Sequence, residues 1–243
     1  MVEFMLVPAY YKEEVSLSKE ALSALGNKKN VAIFASVQFI KLEKVIAQLK
    51  EAGIKVISTH GKRTSGKYQL LGCDCFNNSF ADNGMFNEID AILYVGDGMF
   101  HPRALLLAQK GIGKKVPVIL YDPISKRTKE IKFTDIEHET RRYRANMLKY
   151  LSARTIGVLI SVKPGQQYLK LAIALKEKDK DKQVYLFIDD TFNFASMENF
   201  PFIDVWVNTA CPRIGYDDFL NMPRPLVNIN DALAPEEALR KCS

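Results

Sequence analysis

The sequence predicts an α/β fold built of two similar parallel-sheet domains related by internal duplication. Three observations lead there. Short apolar, β-branched runs at 31–35, 91–95, 117–121, 156–162 and 203–207 alternate with stretches of helical spacing, the pattern of crossovers that builds parallel sheets. The runs of the second half repeat those of the first in the same order: Ile203-Asp204 mirrors Ile89-Asp90, and Pro225-Leu226-Val227 mirrors Pro117-Val118-Ile119. A chain of 243 residues that is 47% apolar is long enough to give each of two domains its own core.

Taken in order, residues 4–8 read as the end of a strand. A helix over 16–25 places Leu17, Ala21, Leu22 and Leu25 on one face and ends at Gly26. Strand 31–35 leads into helix 39–52, closed by Gly53, and then strand 54–58. A loop rich in Gly, Ser and basic residues, 59–67, runs on to Gly72-Cys73-Asp74-Cys75. Strand 91–95 ends in Gly96-Asp97-Gly98-Met99-Phe100-His101-Pro102, and Pro102 suits the first turn of a helix over 103–110. Strand 117–121 with Asp122-Pro123 completes the first unit. A charged helix over 134–151, with Ile136, Tyr143, Met147 and Leu151 at helical spacing, joins it to the second. The domains are therefore expected at 1–133 and 134–243. In the second, the run 203–207 reads as a buried strand that delivers Cys211 at its carboxyl end, where open α/β sheets bind ligands.

Composition narrows the function classes. Four cysteines, Cys73, Cys75, Cys211 and Cys242, are too few and too irregular for a secreted disulfide framework, and none forms the CxxC pair of a zinc ribbon. The net charge of +6 is spread over helix faces and loops, so no direct nucleic-acid contact is expected. No apolar run reaches the roughly 18 residues of a membrane span, and no opening stretch has a signal-peptide pattern; a soluble cytoplasmic protein is expected.

Each candidate site residue has a plain reading beside a functional one. Cys211, taken alone, is a small buried hydrophobe closing a strand. Gly96, Asp97 and Gly98 form either a strand-to-helix turn or a cradle open to a ligand. His101 either contacts a substrate or caps the following helix. Gln38 and Gln166 read as the ends of equivalent strands, where a carboxamide either binds a carboxylate or adenine or bonds its own turn. Asp217 and Asp218 read as the start of a helix.

Leu71-Gly72-Cys73, Gly96-Asp97-Gly98-Met99-Phe100-His101-Pro102, Tyr121-Asp122-Pro123, Lys163-Pro164-Gly165-Gln166 and Asn208-Thr209-Ala210-Cys211-Pro212-Arg213 stand in one order across nearly the whole chain. Together they resemble the archaeal diphthamide synthases, the 2-(3-amino-3-carboxypropyl)histidine synthase family. The resemblance implies three similar α/β domains around a pseudo-threefold axis, each giving one cysteine to a 4Fe-4S cluster that binds S-adenosylmethionine. It implies transfer of a 3-amino-3-carboxypropyl group to a histidine of translation elongation factor 2, the first step of diphthamide biosynthesis. By position this chain corresponds to the second and third domains, with residues 1–10 a remnant of the first. Cys73 and Cys211 match the cluster ligands of those domains, while Gln38, Gly96, Asp97, Gly98, His101, Gln166 and Arg213 are the residues expected around the cofactor. Arg213, beside Cys211, is expected to tune the cluster or pair with the substrate carboxylate.

Two matched thiolates leave one to find. Cys75 is a candidate, because residues two apart on an extended segment project to the same side; Cys242 is another. A separate chain carrying the first domain is the preferred source, with a homo-oligomer such as a dimer as the alternative partner. A non-catalytic subunit supporting an active synthase chain, and a redox or nucleotide-binding module, are the competing readings.

Overall fold

The computed structural model describes residues 5, 7, 9–57, 59–64, 66–82, 84–217, 222 and 224–242. The expected strand remnant at 4–8 lies mostly outside them; Met5 and Val7 are exposed. The chain divides into two compact units, Met1–Ile136 and Glu137–Ser243. The division falls beyond the expected 133/134 boundary because the 3-10 turn Phe133–Ile136 packs on a helix of the first unit and buries Ile136 there.

In the first unit, α1 (Lys19–Leu25) starts later than the expected helix 16–25. The Ser18 side chain accepts a hydrogen bond from the Ala21 amide and so caps the helix at that point, while Gly26 ends it at φ +51°. Leu17 is instead held outside the helix by Gln48, which accepts from its amide and donates to its carbonyl. After β1 (Asn30–Ala35) comes a 3-10 turn, Val37–Phe39, so that α2 (Glu43–Glu51) begins after the expected start at 39. The chain continues through β2 (Lys55–Ile57), α3 (Met85–Glu88), β3 (Ala91–Val95), α4 (Phe100–Leu107) and β4 (Val118–Tyr121). Pro102 lies in the first turn of α4, as expected, although the helix starts at Phe100 rather than 103.

The sheet order is β2-β1-β3-β4-β5, and β5 (Thr128–Ile131) runs antiparallel to β4. Sequence reasoning missed this strand. An edge strand buries few of its side chains, and here Lys129 and Glu130 are exposed while Ile131 faces the core, so no apolar run marks it. Its turn is shaped by Asp122, whose carboxylate accepts from the amides of Ile124 and Ser125, and by Lys126 at φ +56°.

The second unit comprises α5 (Glu137–Ser152), β6 (Thr155–Ser161), α6 (Leu169–Lys178), β7 (Gln183–Asp189), β8 (Val205–Asn208), α7 (Ile214–Asp217), β9 (Leu226–Asn228), α8 (Ile229–Leu233) and α9 (Pro235–Lys241). Its sheet is parallel in the order β7-β6-β8-β9, the same order as the first four strands of the first unit. Trp206 fills its core, against the rings of Phe187 and Phe200 at 4.7 and 6.2 Å.

The duplication holds at the level of single bonds. Asp90 precedes β3, and its Oδ2 accepts from the amides of Lys29 and Asn30 at 3.0 Å each. Asp204 precedes β8, and its Oδ2 accepts from Arg154 at 3.0 Å and Thr155 at 2.9 Å. In both cases these backbone bonds hold the carboxyl group below its ordinary pKa. With Asp90 matched to Asp204 and Asn30 to Thr155, the strand pairings put every later residue of the two sheets into register.

Candidate functional site

The Cys73 loop is built at the carboxyl edge of the first sheet. Past β2, the chain returns alongside the end of β1: the Ala35 amide donates to the Tyr68 carbonyl at 2.7 Å, and the Leu70 amide donates to the Ala35 carbonyl at 2.9 Å. That contact carries Leu71-Gly72-Cys73 beyond the strand ends, into a turn closed from both sides by Asp74. The Asp74 amide donates to the Leu71 carbonyl at 3.0 Å, and its Oδ2 accepts from the Leu71 amide at 2.8 Å. Cys73 is partly exposed, whereas Asp74 and Cys75 are fully buried. The segment is a turn and not an extended run, so the same-side argument that paired Cys75 with Cys73 does not apply to it. Burial raises the pKa of Asp74, opposed by the Leu71 amide and by Arg63, whose guanidinium lies 3.9 Å from Oδ1 and also donates to the Cys73 carbonyl.

The Gly96–His101 segment sits beside this loop. A Cβ on Gly72 would lie 2.0 Å from the Phe100 ring, so the glycine lets the start of α4 press directly on the Cys73 turn. A Cβ on Gly96 would lie 2.7 Å from the Tyr94 hydroxyl, and Gly98 takes φ +66°. Asp97 and Gly98 are exposed. His101 is partly exposed and stacks on Tyr94 at 6.3 Å, with Phe100 edge-on to it at 5.4 Å. Tyr94 is fully buried, and that burial raises its pKa. The Tyr94 hydroxyl has no hydrogen-bond partner among the described residues. Gln38 is exposed; its Oε1 accepts from the Ser36 hydroxyl at 2.9 Å, and its carbonyl accepts from the Tyr11 amide. A cleft of about 340 Å³ opens at the end of β4, between Tyr11, Glu13, Ser16, Tyr121 and Lys126, and none of the expected site residues lines it.

In the second unit Cys211 follows β8 and is partly exposed. Two buried carboxamides surround its backbone. Asn208 accepts from the Ala210 amide at 3.0 Å and donates to the Cys211 carbonyl at 2.8 Å and to Asn228 Oδ1 at 2.9 Å. Asn228 donates to the Pro212 carbonyl at 3.0 Å. Sequence reasoning missed this pair. The signal available was a polar residue closing two apolar runs, Val205-Trp206-Val207-Asn208 and Leu226-Val227-Asn228.

Arg213 is almost fully buried, and both Nε and a terminal nitrogen lie 2.5 Å from Asp217 Oδ2. Asp217 lies in the four-residue α7 as the partner of Arg213; Asp218 lies outside the described residues. Gln166 is partly exposed in the turn after β6, its amide donating to the Lys163 carbonyl. Gln38 and Gln166 follow the equivalent strands β1 and β6, as expected, but strand register matches Gln38 to Lys163, so the two side chains are not counterparts. The same register matches Cys211 to Asp97, while Cys73 belongs to the loop after β2; the two cysteines occupy different loops of the repeated fold. Cys242 is the partly exposed residue capping the end of α9. Among the described residues, no group of three His, Cys, Asp or Glu side chains is placed to hold a metal ion, and no helix is long and apolar enough to cross a membrane.

Comparison with known proteins gives one answer throughout. Residues 2–235 match the family of diphthamide synthesis proteins. The 2-(3-amino-3-carboxypropyl)histidine synthase of Pyrococcus horikoshii is 30% identical over 234 residues, covering 93% of this chain and 63% of that protein. Subunit 1 of the enzyme of the same name from Homo sapiens is 26% identical over 205 residues, 83% of this chain and 44% of that one. Among solved structures, Dph2 from Pyrococcus horikoshii with a 4Fe-4S cluster matches with a TM-score of 0.72 at 29% identity, covering 96% of this chain and 65% of that chain. The chain thus spans less than two thirds of the length of these relatives.

Proposed function

We propose a function from one premise: the chain belongs to the family of diphthamide synthesis proteins. In this reading it takes part in the first step of diphthamide biosynthesis, moving a 3-amino-3-carboxypropyl group from S-adenosylmethionine to a histidine of translation elongation factor 2 in the cytoplasm. The observation that carries the reading is Cys211, a partly exposed thiol at the carboxyl end of a central strand, inside the motif Asn208-Thr209-Ala210-Cys211-Pro212-Arg213.

The donor chemistry suits an iron-sulfur cluster in part. Cys73 and Cys211 each present a partly exposed soft sulfur on a turn at a sheet's carboxyl edge, and they are the residues that would hold the cluster. Cys75 is less available because it is fully buried. The remaining thiolate comes, in this reading, from a separate chain or a second copy of this one. What such a cluster supplies when bound is one-electron cleavage of a carbon–sulfur bond of the sulfonium, a step that acid–base side chains do not perform.

The residues of this chain bind and orient. Gly98, exposed and with open space beside it, allows close approach of a ligand, Gly96 is closed by Tyr94, and the exposed Asp97 carboxylate accepts hydrogen bonds from a hydroxyl or ammonium group. His101, Gln38 and Gln166 offer further polar contacts. Arg213, two residues after Cys211, is turned inward onto Asp217.

Anaerobic reconstitution with iron and sulfide tests the ligands, alone and with partner chains: Cys73→Ala and Cys211→Ala are each expected to abolish the full cluster spectrum. An unchanged spectrum in both removes the assignment. The reduced protein is then incubated with S-adenosylmethionine and elongation factor 2, with methylthioadenosine release expected. No release in any combination, with the cluster intact, leaves the reading of a supporting subunit in its place.

A further inference from the structure

We infer that Asn208 and Asn228 are positioning residues that fix the backbone from which the Cys211 thiol projects. The inference rests on the reading of Cys211 as a cluster ligand.

The geometry is a chain of donors and acceptors that leaves little play in three consecutive residues. Asn208 takes the Ala210 amide and gives to the Cys211 carbonyl; Asn228 gives to the Pro212 carbonyl; and the two side chains join each other at 2.9 Å. The Asn208 contacts to Ala210 and Cys211 are local, and any asparagine closing a turn can make them. Asn228 is different, because it reaches the loop from the neighbouring strand. It is anchored in turn: its amide donates to the Tyr143 hydroxyl at 2.8 Å, that hydroxyl donates to Asp231, and Tyr216 donates to the same carboxylate at 3.2 Å. Both asparagines are almost fully buried. Loss of one bond would leave a polar group stranded where water does not replace the partner.

The duplicated unit supplies an internal control. Strand register matches Asn208 to Tyr94 and Asn228 to Leu120, which face each other across β3 and β4 as the asparagines do across β8 and β9. Tyr94 and Leu120 form no such clamp, and the loop they support carries Asp97 where the second unit carries Cys211. The carboxamide pair thus accompanies the cysteine and not the fold. Gly215 completes the arrangement: a Cβ there would lie 2.8 Å from both Oδ1 and Nδ2 of Asn228, so only glycine leaves room for the clamp.

Two variants of the full chain test this. Asn228→Asp keeps the shape and the acceptor for Asn208 but removes the donor to Pro212. Gly215→Ala leaves both asparagines present and displaces the Asn228 carboxamide. The first readout is the iodoacetamide alkylation rate of Cys211 relative to Cys73, measured on reduced protein without cluster. The ratio is expected to rise about fivefold or more in each variant, the effect of losing roughly one buried hydrogen bond. The second readout is the spectrum after reconstitution, expected to show altered or reduced cluster binding. A ratio unchanged from the unmodified chain in both variants overturns the inference, even if melting temperature falls. The ligand reading fails separately, if Cys211→Ala retains the full spectrum, and the alkylation ratio still decides whether the clamp positions the thiol.

Discussion

The two units share a scaffold and differ in how each holds its cysteine. In the first, the Cys73 turn is closed by its own neighbour, Asp74, and covered by Phe100, a ring that is half exposed. In the second, the Cys211 loop is held by Asn228 from an adjacent strand and backed by a buried network reaching α5 and α8. Strand order and the paired Asp90 and Asp204 bonds are the same in both. The difference teaches that a repeated backbone leaves its loops free to diverge, so a thiol in one copy has a carboxylate as its counterpart in the other.

The comparison can be tested, beginning with the core. Trp206 is the single tryptophan, lies in the second unit, and is almost fully buried among aromatic rings. Trp206→Ala is expected to lose about 3–5 kcal/mol in urea unfolding followed by circular dichroism. A loss below about 1 kcal/mol would mean that the second core does not depend on the residue that distinguishes it.

Next come the glycines beneath the two rings. A Cβ on Gly157 would lie 2.5 Å from Trp206, which has nowhere to go, so Gly157→Ala is expected to cost about 1–3 kcal/mol, read from Trp206 fluorescence. Gly72→Ala meets Phe100 at 2.0 Å, but that ring can swing into water, and a loss of about 1 kcal/mol or less is expected, with faster alkylation of Cys73. Equal losses would show Phe100 to be as firmly held as Trp206.

The smallest expected effect concerns pH. Accepted backbone amides hold Asp90 and Asp204 below the ordinary carboxylate value, so each stabilises the fold above its unfolded pKa, and that stabilisation is lost as pH falls through the lower folded value. Asp90→Asn and Asp204→Asn are therefore each expected to lower the urea midpoint at pH 7 and to flatten its fall on acidification, by similar amounts. A clear inequality between them would break the equivalence of the two positions.

Much of this architecture was legible in the residues. Apolar β-branched runs marked β1, β3, β4, β6 and β8, Gly26 and Gly53 marked helix ends, and Ile89-Asp90 and Ile203-Asp204 marked the duplication. Their signals are local, since strand propensity, a helix stop and a repeated dipeptide can each be read within a few positions. The same is true of Cys211 at a strand's carboxyl end and of the motifs shared with the family.

Other features depended on which residues meet across the fold. An edge strand such as β5 needs only one buried face and leaves no apolar run to read. Strand register moved the counterpart of Gln38 from Gln166 to Lys163, because spacing in the chain does not count residues along a sheet. Cys75 turned inward because Asp74 closes a turn, and Arg213 turned onto Asp217 because a buried guanidinium needs a paired charge. Asn228 reaches the Cys211 loop across a strand boundary, and Asn208 is its neighbour only after β8 and β9 have paired. Propensity and motif are properties of neighbours in the chain, whereas a clamp is a property of neighbours in space, and packing brings those together.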